Sequence, residues 1–261
     1  MISAGIDAGF RNVKVVLVSG SDLLCHVVLP AGKESAGTVA VRALLEALQQ
    51  AGLQTKDVGR LAATGAGKAY VPFAQEQLPE AVCLARGIDM LQPLAETVLD
   101  MGAYKALAVR CQKGMALRTS SNDKCAGGAG AYLEMVAKLL GMESEATAAL
   151  SMESRKHLEI MSTCAIFAES EIISLIHAGE RPEDILKGVF KGVAQRVYPL
   201  LTEIGLDRNM AMVGGIARNG GVVRAIEEMV GHPVAVPSNP DIVGALGAAL
   251  MAKKDRGALP V

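Results

Sequence analysis

Three short β-rich runs separated by tight turns occur twice in this 261-residue chain, and this pattern limits the folds open to it. Asp and Gly stand two residues apart at the first turn of each copy, as Asp7 and Gly9 and then as Asp100 and Gly102. The runs span residues 2–8, 13–18, 23–29, 97–101, 106–109 and 115–119. They predict two meanders of three strands each. The two copies are not obviously similar in sequence, so the pattern alone predicts an α/β chain with two halves of related design.

Helical periodicity follows each meander. Apolar residues at helical spacing predict an amphipathic helix from Thr38 to Ala51, which Gly52 ends. The segment from Cys125 to about Glu203 is predicted to be largely helical. The other predicted elements are a strand running into a glycine turn at 60–67, a helix opened by Pro182, a strand at 210–215, a helix at 221–230, a strand at 234–237 and a small-residue helix at 241–253.

Pro93 marks a predicted boundary, because the opening pattern recurs after it. The first subdomain is predicted to comprise residues 1–93 together with 240–261. The second, at 94–239, carries the two cysteines on which the functional hypothesis depends.

Composition excludes several classes of protein. The net charge of −1 gives no electrostatic attraction to nucleic acid or to an anionic membrane. Trp is absent and Phe and Tyr number four each, which argues against a surface that stacks bases. No apolar run reaches the roughly 18 residues that a membrane span needs. Five cysteines without a disulfide pattern, and a chain that begins directly with a strand, predict a cytoplasmic protein without a signal peptide.

Cys125 and Cys164 each stand just ahead of a run with apolar residues at helical spacing. A helix N-terminus carries partial positive charge and unpaired N–H groups, which favour thiolate over thiol. Gly127 and Gly128 lack Cβ atoms, so the backbone there can approach a bulky group. These features are typical of metal ligands, but both thiols also fit the alternative of small buried apolar residues.

Two thiols do not complete an iron–sulfur cluster, which usually takes four cysteinates. Two chains related by a two-fold axis would each present Cys125 and Cys164 to a shared site. A dimer bridged by one [4Fe-4S] cluster follows as a hypothesis.

Three runs, NDKCAGGAGAYLEMVA, STCAIFAESEIIS and MVGGIARNGG, resemble the BadF/BadG/BcrA/BcrD ATPase family. The family includes the activators of 2-hydroxyacyl-CoA dehydratases and the ATPase subunits of benzoyl-CoA reductases. The resemblance covers nearly the whole chain. It implies an actin/hexokinase/Hsp70-like (ASKHA) ATPase fold with two related domains around a nucleotide cleft. It also implies a cluster shared across a dimer and ATP-driven electron delivery to an iron–sulfur enzyme, with reduced ferredoxin or flavodoxin as donor.

On this resemblance, Asp7 and Asp100 are expected to face each other across the cleft and to hold Mg²⁺ through water, while nearby glycines approach the phosphates of ATP or ADP. Lys14 is within reach of phosphate, although a lysine on a strand edge is more often solvated. The family pattern places Gly214 and Gly215 near the adenosine and phosphates and Gly244 at the wall of the pocket. The predicted nucleotide contacts are Gly9, Asn12, Lys14, Gly102, Ala103, Gly214, Gly215 and Gly244.

The chain departs from the activator pattern at both phosphate turns. The small hydroxyl residue usual after the first turn glycine is replaced, leaving the sequence Gly-Phe-Arg-Asn at 9–12. The second turn reads Asp-Met-Gly-Ala-Tyr-Lys at 100–105, without the Gln and second Asp of the dehydratase activators, and looks more like the D-type reductase subunit. The change bears on hydrolysis more than on binding. The altered turn is compatible with a homodimer and with a heterodimer formed with a paralogue.

Two other functions remain open at this stage. A small-molecule kinase of the same fold would need a catalytic base near the phosphates, and no candidate stands out beyond the two turn aspartates. A non-catalytic nucleotide-binding subunit would keep the cluster as a structural element only.

Overall fold

The structure, a computed structural model, describes residues 1–122, 130–156, 158–160 and 165–252. The chain divides into two compact units. The first comprises Met1–Val98, Val109–Leu117 and the described part of Pro237–Val261. The second comprises the described residues of Leu99–Ala108 and Arg118–Val236.

Strands and helices alternate in the α/β arrangement that the sequence predicts. The strands are β1 (Ile2–Ala8), β2 (Asn12–Ser19), β3 (Asp22–Pro30), β4 (Val58–Thr64), β5 (Glu76–Gln77), β6 (Thr97–Met101), β7 (Ala106–Gln112), β8 (Met115–Ser121) and β9 (Met210–Val213). The helices are α1 (Ala36–Gln50), α2 (Glu80–Leu91), α3 (Gly130–Leu139), α4 (Ala146–Ser151), α5 (Ala165–His177), α6 (Pro182–Ile204), α7 (Gly220–Val230) and α8 (Val243–Met251). All six predicted meander strands are confirmed, with ends that differ by at most three residues.

The first sheet has the strand order β3-β2-β1-β4-β5. Strands β1 to β3 form the predicted antiparallel meander, and β4 lies parallel to β1. Successive side chains of a strand face opposite sides of a sheet, and both sides are covered here. Val15 and Leu17 pack in the cluster with α1, whereas Val16 packs in the cluster with α8. The sheet is therefore buried on both faces, which explains the nearly continuous apolar sequence of β2.

The second sheet has the order β8-β7-β6-β9. The strand predicted at 234–237 is wrong, because the segment forms only a single parallel bridge between Ala211 and Ala235. Pro233 and Pro237 flank the bridge and carry no backbone N–H, so the ladder cannot extend through them.

Helix α6 forms the centre of the core in the second unit. Pro182 occupies its first turn, as predicted, and the acidic residues beside it suit the positive end of the helix. Its buried face includes Ile185, Val189, Val193 and Val197. Residues from β6, α3, α5 and α7 belong to the same core cluster. The predicted helical character of this part of the chain is therefore confirmed in the described residues.

The helices of the described ranges do not include a candidate membrane span. None of the helices there is both long enough and apolar enough to cross a bilayer.

Candidate nucleotide and metal site

The first predicted phosphate turn follows directly on β1. The amide N–H of Gly9 donates to the carbonyl oxygen of Asn12 at 3.1 Å, which closes a four-residue turn at the end of the strand. Asp7 lies on β1 just before this turn, where local backbone geometry fixes the direction of its side chain.

Asp7 is paired with Lys14. The two residues are direct partners in the β1–β2 register, and Lys14 Nζ lies 2.8 Å from Asp7 Oδ2. Both side chains are 17% exposed, so the ion pair is largely shielded from water. Strand β2 lies inside the sheet, so the expectation of a solvated lysine on a strand edge is wrong. Lys14 supplies positive charge to the aspartate that the sequence assigns to Mg²⁺.

The glycine turn after β4 reaches the same carboxylate. Gly65 has a φ of +88°, and a Cβ atom there would overlap Asp7 Oδ1. The N–H of Gly67 donates to the carbonyl oxygen of Ala8 at 2.8 Å. Neither glycine is among the predicted site residues, although the sequence shows their turn. The sequence does not show that β4 runs parallel beside β1. This pairing brings the C-terminal ends of the two strands, and therefore the two turns, close together.

Helix α8 contributes Gly244 to this group. A Cβ atom at Gly244 would lie 3.6 Å from Asp7 Oδ2, which is ordinary van der Waals contact. The first unit thus brings Asp7, the predicted Mg²⁺ ligand, together with the predicted nucleotide contacts Gly9, Asn12, Lys14 and Gly244.

The second phosphate turn repeats this geometry. The Gly102 N–H donates to the Lys105 carbonyl oxygen at 2.9 Å, which matches the closure of the first turn. Gly214 has a φ of +84°, and a Cβ atom there would overlap Asp100 Oδ1 and lie 2.5 Å from the Met101 carbonyl oxygen. The repeat therefore extends beyond the meander, since each aspartate faces a glycine of positive φ.

Gly215 has open space on the side where a Cβ atom would project. No heavy atom of the described chain lies within 4 Å of that position, apart from its own neighbours. A bulky ligand can therefore approach the backbone at Gly215, as the sequence predicts for a nucleotide contact.

Helix α3 starts on the second phosphate turn. The Gly130 N–H donates to the Gly102 carbonyl oxygen at 2.9 Å, and the Ala131 N–H donates to the Ala103 carbonyl oxygen at 2.8 Å. The first N–H groups of a helix have no partner within it, so the turn satisfies two donors that are otherwise unpaired. Ala103 thus contacts α3 through its backbone.

The predicted metal ligands Cys125 and Cys164, with Gly127 and Gly128, lie outside the described residues. Two helices that follow them in sequence are described, since α3 begins at Gly130 and α5 begins directly after Cys164. Within the described ranges, no group of three or more His, Cys, Asp or Glu side chains is arranged to hold a metal ion.

The other three thiols are poor candidates for metal ligation. Burial raises the pKa of Cys83 and that of Cys111 to about 11, which keeps both protonated near neutral pH. Burial also raises the pKa of Cys25, whose thiol donates to Gln50 Oε1 at 3.3 Å. Because a ligating cysteine must be a thiolate, burial disfavours these three thiols as ligands, and the pair Cys125 and Cys164 stays a prediction from sequence.

A profile of a known protein family, the BadF/BadG/BcrA/BcrD ATPase family, matches residues 4–252. The chain belongs to this family. This family member is 39% identical over 254 residues to an activator of lactoyl-CoA dehydratase from Anaerotignum propionicum, with 97% of both chains covered. It is 37% identical over 255 residues to a 2-hydroxyisocaproyl-CoA dehydratase activator from Clostridioides difficile, covering 97% of this chain and 95% of the relative. It is 32% identical over 260 residues to the D-type subunit of benzoyl-CoA reductase from Thauera aromatica, covering 95% and 92%.

Solved structures of the family share the fold. Component A of (R)-2-hydroxyglutaryl-CoA dehydratase from Acidaminococcus fermentans matches with a TM-score of 0.93, at 32% identity and 97% coverage of both chains. The Clostridium difficile activator of 2-hydroxyisocaproyl-CoA dehydratase, solved with bound ADPNP, matches at 0.91, with 35% identity and coverages of 97% and 94%. A ROK hexokinase from Thermus thermophilus, 18% identical with a TM-score of 0.54, shares the fold alone. The predicted family and ASKHA-type fold are confirmed.

Proposed function

We propose that this chain is an ATP-dependent one-electron donor for an iron–sulfur enzyme of the 2-hydroxyacyl-CoA dehydratase or benzoyl-CoA reductase type. A [4Fe-4S] cluster held by Cys125 and Cys164 of each of two chains would supply the low-potential electron. Family membership supports the ATPase activity, and the names of the relatives support the role of activator. Reduced ferredoxin or flavodoxin would return the electron. The dimer is either a homodimer or a heterodimer with a paralogue.

The proposed nucleotide contacts follow the two phosphate turns. Asp7 and Asp100 are the carboxylates for Mg²⁺, and the backbone at Gly9, Gly102 and Gly215 approaches the phosphates. The positive-φ glycines next to the two aspartates support this assignment, because they hold each carboxylate in a backbone pocket that a larger residue would fill.

The observation that carries the proposal is the start of α3 on the second phosphate turn. Two backbone hydrogen bonds connect Gly102 and Ala103 to the first residues of the helix that follows Cys125 in sequence. A nucleotide that shifts this turn therefore also shifts the N-terminus of α3. The connection is made of backbone atoms, so it does not depend on the side chains that distinguish this turn from that of the dehydratase activators. Nucleotide binding and hydrolysis thereby bias the segment that carries the first predicted ligand.

Iron content and the ultraviolet–visible spectrum test the proposal in protein purified without oxygen. We expect about four irons per dimer in the wild type and their loss in both Cys125→Ala and Cys164→Ala. Cys25→Ala is the matched control, because Cys25 is a partly exposed thiol outside the proposed ligand set, and it should retain iron. ATP should then be required for electron transfer from reduced ferredoxin to the acceptor enzyme.

Iron-free wild-type protein that still binds ATP would remove the electron-donor function and favour a small-molecule kinase. An iron-containing dimer whose redox state ignores ATP would instead indicate a regulatory protein with a structural cluster.

A further inference from the structure

A cavity of about 250 Å³ lies among α4, α6 and α7 in the second unit. It contains none of the residues assigned to the nucleotide or to the cluster. A cavity of about 150 Å³ can hold a benzene molecule, so this volume suits a small organic molecule. The lining residues are Ser151, Met152, Leu158, Lys187, Phe190, Lys191, Gly221, Arg224, Ala225 and Glu228.

Apolar groups form one side of the cavity. Phe190 is 2% exposed and packs in the core cluster, and Leu158 packs against that cluster. Gly221, at the start of α7, abuts the Phe190 ring so closely that a Cβ atom there would overlap it. The ring is thereby fixed in place, and Ala225 one turn further along α7 leaves space beside it.

Three cationic side chains line the same cavity against a single carboxylate, that of Glu228. Lys187 is half-buried and makes no hydrogen bond or ion pair with any described residue. Its ammonium group therefore keeps hydrogen-bond donors that an anionic ligand in the cavity can use.

The other two cations have only exposed partners. Lys191 Nζ lies 3.0 Å from Glu159 Oε1, and Arg224 Nε lies 3.4 Å from Glu228 Oε1. Ion pairs this exposed contribute little free energy and exchange readily for another anion. The side chains of all three residues can therefore reorient and contact a ligand in the cavity.

We propose that this cavity binds a small carboxylate with a short alkyl or aryl body. The carboxylate takes Lys187 as its counter-ion, with Lys191 and Arg224 at the rim. The apolar body lies against Phe190, Leu158 and Ala225. The donors that line the cavity outnumber its acceptors, so charge complementarity selects an anion, and the partly exposed apolar residues Leu158 and Ala225 favour an apolar body over a free inorganic anion. This site does not depend on the proposed electron transfer.

Ligand-observed NMR with the complete, anaerobically purified protein tests the proposal with hexanoate as the probe. Hexanamide keeps the chain without the charge, acetate keeps the charge without the chain, and inorganic phosphate is a free anion. We expect hexanoate alone to show saturable binding. Equal binding of hexanamide would overturn the requirement for an anion. Displacement of hexanoate by equimolar phosphate or acetate would overturn the requirement for an apolar body.

Two variants place the ligand in this cavity. Lys187→Met keeps most of the apolar stem and removes the charge, so it should weaken hexanoate binding about tenfold or more while leaving ATP binding unchanged. Ala225→Phe fills the space beside Phe190 and should abolish binding. Lys33→Met, at an exposed lysine of the first unit, should bind like the wild type. Circular dichroism shows whether both variants are folded. If both are folded and bind hexanoate as tightly as the wild type, the assignment of the ligand to this cavity is overturned.

Discussion

The Asp7 carboxylate has an ion pair on one oxygen and the glycine turn close to the other. Oδ2 accepts from Lys14 at 2.8 Å, and Oδ1 faces the backbone at Gly65. A Mg²⁺ ion bound through water would have to share this carboxylate with the ammonium group. The spacing between Asp7 and Gly65 therefore determines how much room the ion and its water have.

Replacing Gly65 with alanine tests this crowding. The positive φ and the overlap with Asp7 Oδ1 both oppose a Cβ atom, so Gly65→Ala should lower the free energy of unfolding by about 3 kcal/mol. It should also abolish ATP hydrolysis, because the carboxylate must move. Gly52→Ala is the matched control, since Gly52 has a φ of +67° and open space around it. That variant should lose only about 1 kcal/mol and keep its activity. Urea unfolding and a phosphate-release assay measure both effects, and equal activity losses in the two variants would contradict the argument.

The sequence predicts those features of the site that depend on a few neighbouring residues. The two Asp-x-Gly turns can be recognised because three consecutive residues define each of them. The pairing of Lys14 with Asp7 and the approach of Gly65 depend on which strands are neighbours, which no short stretch of sequence states. Cys125 and Cys164 stay predictions from sequence and family resemblance, because they lie outside the described residues.

Helix α8 packs against α2 and the first sheet through glycines. A Cβ atom at Gly247 would overlap the Cys83 carbonyl oxygen and lie 2.5 Å from its carbonyl carbon, so the two helix backbones are in direct contact. Gly247→Ala should therefore lower the free energy of unfolding by roughly 3 kcal/mol or more. Gly244→Ala, on the same helix, meets only ordinary contacts and gains helix propensity, so its stability should change by less than about 1 kcal/mol. Similar unfolding midpoints in urea for the two variants would show that the helices can separate without cost.

The hydrogen bonds between the second turn and α3 make a prediction about coupling. The substitution Ala131→Pro removes the N–H donor to Ala103 and places a ring carbon where the hydrogen pointed, so the start of the helix must move away from the turn. Ala131→Pro should retain iron, whereas electron delivery per ATP hydrolysed should fall about fivefold or more, because losing this hydrogen bond weakens the connection between the turn and α3. Ala131→Gly keeps the N–H group and serves as the control. If Ala131→Pro delivers electrons as the control does, the turn does not act through α3.

Element boundaries are well predicted where turn residues mark them, as at Gly52, which follows α1, and at Pro182, which opens α6. The predicted strand at 234–237 failed because an apolar run between prolines satisfies the pattern of a strand without supplying its hydrogen-bond donors. Hydrophobic periodicity indicates which residues are buried. Whether those residues pair as β-strands depends on their backbone N–H groups.

At the scale of the whole molecule, the proposed cluster belongs to an assembly and not to a chain. In the proposal each chain would offer two ligand thiols, so a cluster of four cysteinates would require two intact chains. A site contained within one chain would need further ligands. Within the described residues, burial raises the pKa of each of the other three cysteines, and no group of three possible ligands exists.

A mixed dimer distinguishes these arrangements. Wild-type chain and a Cys125→Ala/Cys164→Ala chain, carrying different affinity tags, are produced together, and the dimer with both tags is isolated without oxygen. A shared site would have only two thiolates in that dimer, so we expect little iron and no visible absorption of a [4Fe-4S] cluster. The wild-type homodimer from the same cells, with about four irons, is the internal control. One half of the control iron in the mixed dimer would mean that each chain binds metal by itself, and the bridging cluster would have to be abandoned while the ATPase assignment stood.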